Sequence, residues 1–115
     1  MRIVTTDHFS KQLKTLAKKY CNISTNVTQA LRMFSKESAQ YLGAKLFKVR
    51  VRSSDMSKGK SGGFRLIILC VEVDDFIVPV TIYQKSLQEN ITEHELEYHL
   101  ARVRSELDIF LKNRQ

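Results

Sequence analysis

Leu46-Phe47-Lys48-Val49-Arg50-Val51-Arg52 decides the fold. Successive side chains of an extended strand point to opposite faces, so Phe47, Val49 and Val51 share one side and Lys48, Arg50 and Arg52 the other. The stretch predicts a strand buried on one face and cationic on the other. Ser53 to Gly63 is polar and contains glycine, as a loop does. Phe64 to Glu72 is apolar at nearly every position, which predicts a central strand covered on both faces. Asp74-Asp75 marks a turn, and Phe76 to Tyr83 predicts the next strand, in which Pro79 requires an edge or a bulge.

Upstream the period changes. Arg2 to Thr5 predicts a short first strand. Asp7 is a candidate cap for a helix with Phe9, Leu13, Leu16, Ala17 and Tyr20 on one side. Ser24 is a candidate cap for a second helix that turns Val27, Ala30, Leu31 and Phe34 inward, and Tyr41-Leu42-Gly43 ends this helical half. Two helices so closely spaced predict an antiparallel hairpin. Downstream, Thr92-x-x-Glu95 is a capping box before a stripe of Leu96, Leu100, Val103, Leu107, Phe110 and Leu111. The expected fold is α+β in the order β-α-α-β-β-β-α, an antiparallel β-sheet with an N-terminal helical hairpin and a C-terminal helix. A chain of 115 residues suits a single domain, 1–115, and shows no repeat or linker.

Charge is unevenly placed. The chain carries a formal +7. Lys45, Lys48, Arg50, Arg52, Lys58, Lys60 and Arg65 against Asp55 alone give the segment from 45 to 65 a net +6, leaving +1 for the rest. A concentrated cationic patch is the electrostatic footprint of a polyanionic partner, although a solvated loop has the same composition. No apolar run approaches the ~20 residues that span a bilayer, and Met1 to Asp7 lacks the apolar stretch of a signal peptide, so a cytoplasmic protein with no membrane partner is expected. Cys70 is expected in the core and Cys21 after a helix, without a disulfide between them. The sequons at Asn22, Asn26 and Asn90 then carry no sugar, and their Ser24 and Thr92 read as helix caps.

Several familiar sites are excluded. Lys58-Gly59-Lys60-Ser61 lacks the earlier glycine of a phosphate-binding P-loop, since position 54 is Ser54, and a strand rather than a helix follows. His94 and His99 lie five residues apart, about 140° around a helix, and cannot share a metal as the zinc-protease motif does. His8 is expected at the surface. No metal and no cofactor are expected.

What remains is the basic cluster with Tyr83 and Lys85. The runs Phe47-Lys48-Val49-Arg50-Val51-Arg52-Ser53-Ser54, Lys58-Gly59-Lys60-Ser61-Gly62-Gly63-Phe64-Arg65-Leu66-Ile67 and Thr81-Ile82-Tyr83-Gln84-Lys85 resemble the RelE superfamily of toxins from bacterial type II toxin–antitoxin systems, nearest to its HigB-like branch. The resemblance covers essentially the whole chain. It implies a RelE-like fold and a ribosome-dependent mRNA endonuclease, or mRNA interferase, neutralised by a cognate antitoxin and meeting operator DNA only through it. It implies cleavage without metal, by attack of a 2′-hydroxyl on the adjacent phosphate. Arg65, Tyr83, Lys85, Lys48 and Arg50 are the candidate catalytic residues, and Arg52, Lys58, Lys60, Gly62 and Gly63 the candidate RNA-binding residues. Some members carry an arginine after the lysine of the last strand and a tyrosine further on. Here Ser86 follows Lys85 and the next tyrosine is Tyr98, which leaves Tyr83 as the substitute acid or base. A non-catalytic RNA- or ribosome-binding module, or an antitoxin-bound co-repressor, would share the basic patch.

Overall fold

The computed structural model describes residues 1–56 and 62–113. Lys58 and Lys60 lie outside the described residues. The elements run β1 (Arg2–Ile3), α1 (Asp7–Ala17), α2 (Ile23–Arg32), β2 (Gln40–Gly43), β3 (Leu46–Val51), β4 (Phe64–Val71), β5 (Phe76–Gln84) and α3 (Glu93–Lys112). The strands form one sheet in the order β1-β5-β4-β3-β2. It is antiparallel except where β1 pairs parallel with β5, so the sheet is mixed.

The sheet separates two apolar layers. Phe9, Tyr20, Ile23, Val27 and Leu31 of the helical half pack on Phe47, Val51, Phe64, Leu66 and Ile68. On the other face, Val103 and Leu107 of α3 pack on Leu46, Ile67, Leu69, Phe76, Val78 and Val80. The alternation read from β3 and the run read from β4 therefore have a single cause: β4 is covered on both faces and β3 chiefly on one. Among the described residues, no helix is long and apolar enough to cross a membrane.

Four local expectations are corrected. The α1 cap is Thr6, whose hydroxyl accepts from the Phe9 amide at 3.2 Å; Asp7 is instead the acid of the first turn. Helix α2 begins before Ser24, with Asn22 at its cap position. The Asn22 backbone amide donates to the Asp55 carboxylate at 2.9 Å and its side chain donates there at 2.8 Å. Residues 40 to 43 do not merely end the helical half: they form β2, an edge strand hairpinned onto β3. The turn is held by Gly43, Ala44 and Lys45 at φ 92°, 53° and 66°, the left-handed geometry of tight hairpins. The Tyr41 ring lies 5.0 Å from that of Phe47, and its hydroxyl accepts from the Lys45 amide at 3.4 Å. Finally, β1 ends at Ile3, two residues earlier than expected.

Pro79 sits at a bulge, a situation that its missing N–H allows. Ile67 pairs with Thr81 but Ile68 with Pro79, so Val80 is the extra residue. Beyond the short reach of β1, a side chain stands in for a strand along this edge. Gln12 of α1 donates to the Val80 carbonyl at 3.3 Å and accepts from the Thr81 hydroxyl at 2.7 Å.

Candidate functional site

The bulge decides which way Tyr83 points. Phe76, Val78 and Val80 face α3. Continued alternation would turn Gln84 to that face and Tyr83 away from it. One extra residue reverses the parity. Tyr83 therefore shares the α3 face, opposite Arg65, and Arg65 stands opposite Arg50. The result is a cross-strand row, Arg50–Arg65–Tyr83, with Lys48 two residues along β3 on the same face.

Arg65 is half-buried and folded back: its Nη1 donates to the Gly62 carbonyl at 2.6 Å and to the Phe64 carbonyl at 3.2 Å. Burial and the nearby Arg50 lower its pKa, and Tyr83 opposes them; the guanidinium remains a fixed cation. The two glycines have reasons within the chain itself. At Gly63, φ is +59° and an added Cβ would collide with the Val51 carbonyl oxygen. At Gly62, φ is +57° and a Cβ would lie 3.1 Å from Arg65 Nη2 and 3.5 Å from Lys85 Cγ. The Gly63 carbonyl accepts from the Lys85 amide at 3.1 Å, which joins the turn to the end of β5.

Tyr83 is 8 % exposed, and its hydroxyl is buried without a well-formed hydrogen bond. Burial, the largest cause, raises its pKa; the Ile91 backbone and Arg65 act in the other direction. The ring packs into the α3-side layer, so neither face is free to stack on a base. The segment between β5 and α3 reaches the other candidates too. Lys48 Nζ donates to the Asn90 side-chain oxygen at 3.2 Å. Lys85 Nζ lies 3.2 Å from a carboxylate oxygen of Glu89.

Beside the row lies a groove of about 1000 Å³ between α2 and β3. Among the described residues, Lys48, Arg50, Arg52 and Arg65 give it four cations, Ala30, Met33, Phe34 and Val49 give it an apolar wall, and no acid lines it. Asp55, the sole acid of the basic segment, is committed to Asn22 at the start of α2, and that backbone hydrogen bond lowers its pKa. Among the described residues, Lys48, Arg50, Arg52 and Arg65 form no salt bridge. Asn26, Gln29, Glu89 and Asn90 also border the site. No local pattern marks them, because each comes from a segment distant in sequence. Among the described residues, no group of three or more histidine, cysteine or acidic side chains could hold a metal ion.

His8 departs from the expected free surface position. It is half-buried, and its Nε2 lies 2.8 Å from Nδ1 of His99 on α3. Cys70 is buried and Cys21 exposed.

The family model of the RelE toxin of the RelE/RelB toxin–antitoxin system matches residues 1–109. The chain belongs to the RelE toxin family. It is thus a toxin of toxin–antitoxin kind, in a family whose members are ribonucleases. Among solved structures, a mutant of E. coli toxin RelE in the free state is similar to this RelE-family chain, with 11% identity, a TM-score of 0.49, and coverage of 76% of this chain and 86% of that one. No curated protein matches by sequence.

Proposed function

We propose that this RelE-family toxin is a ribosome-dependent mRNA endonuclease of the HigB-like branch, acting as one domain without a metal and held inactive by a cognate antitoxin. The observation that carries this reading is the Arg50–Arg65–Tyr83 row beside a groove to which the described residues bring four cations and no acid. In the reaction, the 2′-oxygen of one nucleotide attacks the adjacent phosphorus as a base takes its proton. The bond to the 5′-oxygen breaks, and that oxygen receives a proton. The products are a 2′,3′-cyclic phosphate and a 5′-hydroxyl.

Negative charge gathers on the phosphoryl oxygens in the transition state, and fixed cations aimed there stabilise it. Arg65 is suited to grip two oxygens at once, because its planar guanidinium is already held by two carbonyls. Arg50 and Lys48 flank it from β3. Lys85, just past the end of β5, adds a charge once it leaves Glu89. Arg52 extends the cationic track for the RNA backbone; Lys58 and Lys60, outside the described residues, are assigned to RNA binding on their charge alone. Tyr83 serves as the proton donor to the leaving oxygen: burial keeps the phenol protonated at neutral pH, and its hydroxyl makes no well-formed hydrogen bond among the described residues, the Ile91 backbone being its neighbour. It reaches the substrate when the segment carrying Ile91 moves aside.

The buried state of Tyr83 also favours a second reading, a non-catalytic RNA-binding module that uses the groove alone. End-group analysis separates the two. RNA incubated with toxin and translating ribosomes should acquire 2′,3′-cyclic phosphate and 5′-hydroxyl ends. Bound but uncut RNA would leave only the binding module.

A further inference from the structure

The contact between α1 and α3 is built from groups that no step of the proposed reaction uses. His8 Nε2 and His99 Nδ1 lie 2.8 Å apart, with ring centroids at 5.0 Å. At this separation one nitrogen donates and the other accepts. Below the pair, the Glu106 carboxylate of α3 accepts from the Asp7 and His8 backbone amides at 2.7 Å and 3.0 Å. One helix thus supplies an anion to the positive end of the other.

We infer that His8 and His99 form a proton-sensitive clamp between α1 and α3, closed while the two rings hold at most one extra proton and opened by the second. A first added proton leaves the hydrogen bond intact, because an imidazolium still donates to a neutral ring. A second sets two N–H groups face to face and places two positive charges at hydrogen-bond distance. The surroundings deepen the effect. His8 meets Arg102 of α3 and Lys11 of its own helix as cations, and Glu106 as an anion. His99 has Glu95 on its own helix and His8 across the contact. The Tyr98 ring borders both histidines and takes Arg102 on its face at 5.3 Å.

Burial, as the largest cause, lowers both histidine pKa values from their ordinary 6.5, and the neighbouring cations or the partner ring add to it. The sign follows from that direction. The unfolded chain takes up these protons at higher pH than the folded one, so the contribution to stability is complete above about 6.5 and is lost as the pH falls through the lowered folded values. Helix α3 begins just after Asn90 and Ile91, the residues that meet Lys48 and Tyr83. Acid therefore loosens the helix that anchors them. That consequence for the site rests on the functional reading above; the clamp does not.

Imidazole titration by NMR, from about pH 8 to about pH 4 on the whole chain, tests the clamp. The expected result is two coupled midpoints for His8 and His99, both below the ordinary value of about 6.5. Amide exchange at Asp7 and His8, corrected for the intrinsic rate, should quicken through the second step. In His8→Gln the His99 midpoint should rise. Independent titration of His8 and His99 at about 6.5 in the unaltered protein would overturn the inference even if the variant failed to fold. So would a His99 midpoint that stayed fixed in His8→Gln.

Discussion

Replacing Gly63 with alanine tests the turn that carries Arg65. Alanine at φ +59° must adopt left-handed backbone, which costs about 1–2 kcal/mol. The added Cβ also meets the Val51 carbonyl oxygen, a backbone atom fixed by the β3–β4 ladder. Relieving such overpacking costs a further ~1–3 kcal/mol, because strand rather than side chain must move. The sum, about 2–5 kcal/mol, is a large part of the ~5–15 kcal/mol that holds a small domain together. Gly62→Ala is the matched contrast. It has a similar backbone cost, but its nearest neighbours are the Arg65 guanidinium and the Lys85 stem, which can yield. Urea unfolding followed by circular dichroism should show the larger loss for Gly63→Ala at unchanged slope. Gly62→Ala should lose only about 1–2 kcal/mol. Its displaced guanidinium should nevertheless lower RNA cleavage by roughly 100-fold. If Gly63→Ala unfolds within about 0.5 kcal/mol of the unaltered protein, the contact with Val51 is wrong and so is this account of the turn.

Tyr83→Phe should raise stability by about 1 kcal/mol, since a buried hydroxyl without a well-formed hydrogen bond is removed, while cleavage falls by at least roughly tenfold. A thermal scan that instead shows destabilisation would mean that the hydroxyl is bonded. Ala44→Gly should gain about 1 kcal/mol, because φ 53° is strained for alanine and free for glycine; equal or lower stability in urea would contradict the hairpin geometry. Glu106→Ala should lose about 1 kcal/mol as the first amides of α1 lose their acceptor, with faster hydrogen exchange at Asp7 and His8 as the local sign.

Much of the fold was legible because period and burial agree. Lys48, Arg50 and the Val49–Val51 alternation announced β3, and Phe64 to Glu72 announced a strand covered twice, which the structure ends at Val71. The capping box at Thr92 and Glu95 announced α3. Strand β2 was hidden because it is short and its turn uses Ala44 and Lys45 where a glycine or asparagine would have signalled it. The direction of Tyr83 was hidden for another reason. Period-two reading carries side chains past Pro79 without the extra residue, so it cannot tell which face they reach. The candidate site was readable as a set of cations, but not as an arrangement. Asn90 and Glu89 come to Lys48 and Lys85 through the path of a connecting segment, and His8 finds His99 across 91 residues. Such meetings are fixed by packing of α1 and α3 around the sheet edge, which no local pattern encodes.

The central claim is that the cation row cuts ribosome-bound mRNA. Primer extension on a defined mRNA, with and without translating ribosomes, tests it most directly when the unaltered toxin is compared with Arg65→Ala shown to be folded by circular dichroism. Cuts are expected only with ribosomes and should vanish in Arg65→Ala. Cuts on naked RNA would contradict the ribosome dependence, and cuts that survive in Arg65→Ala would contradict the site itself.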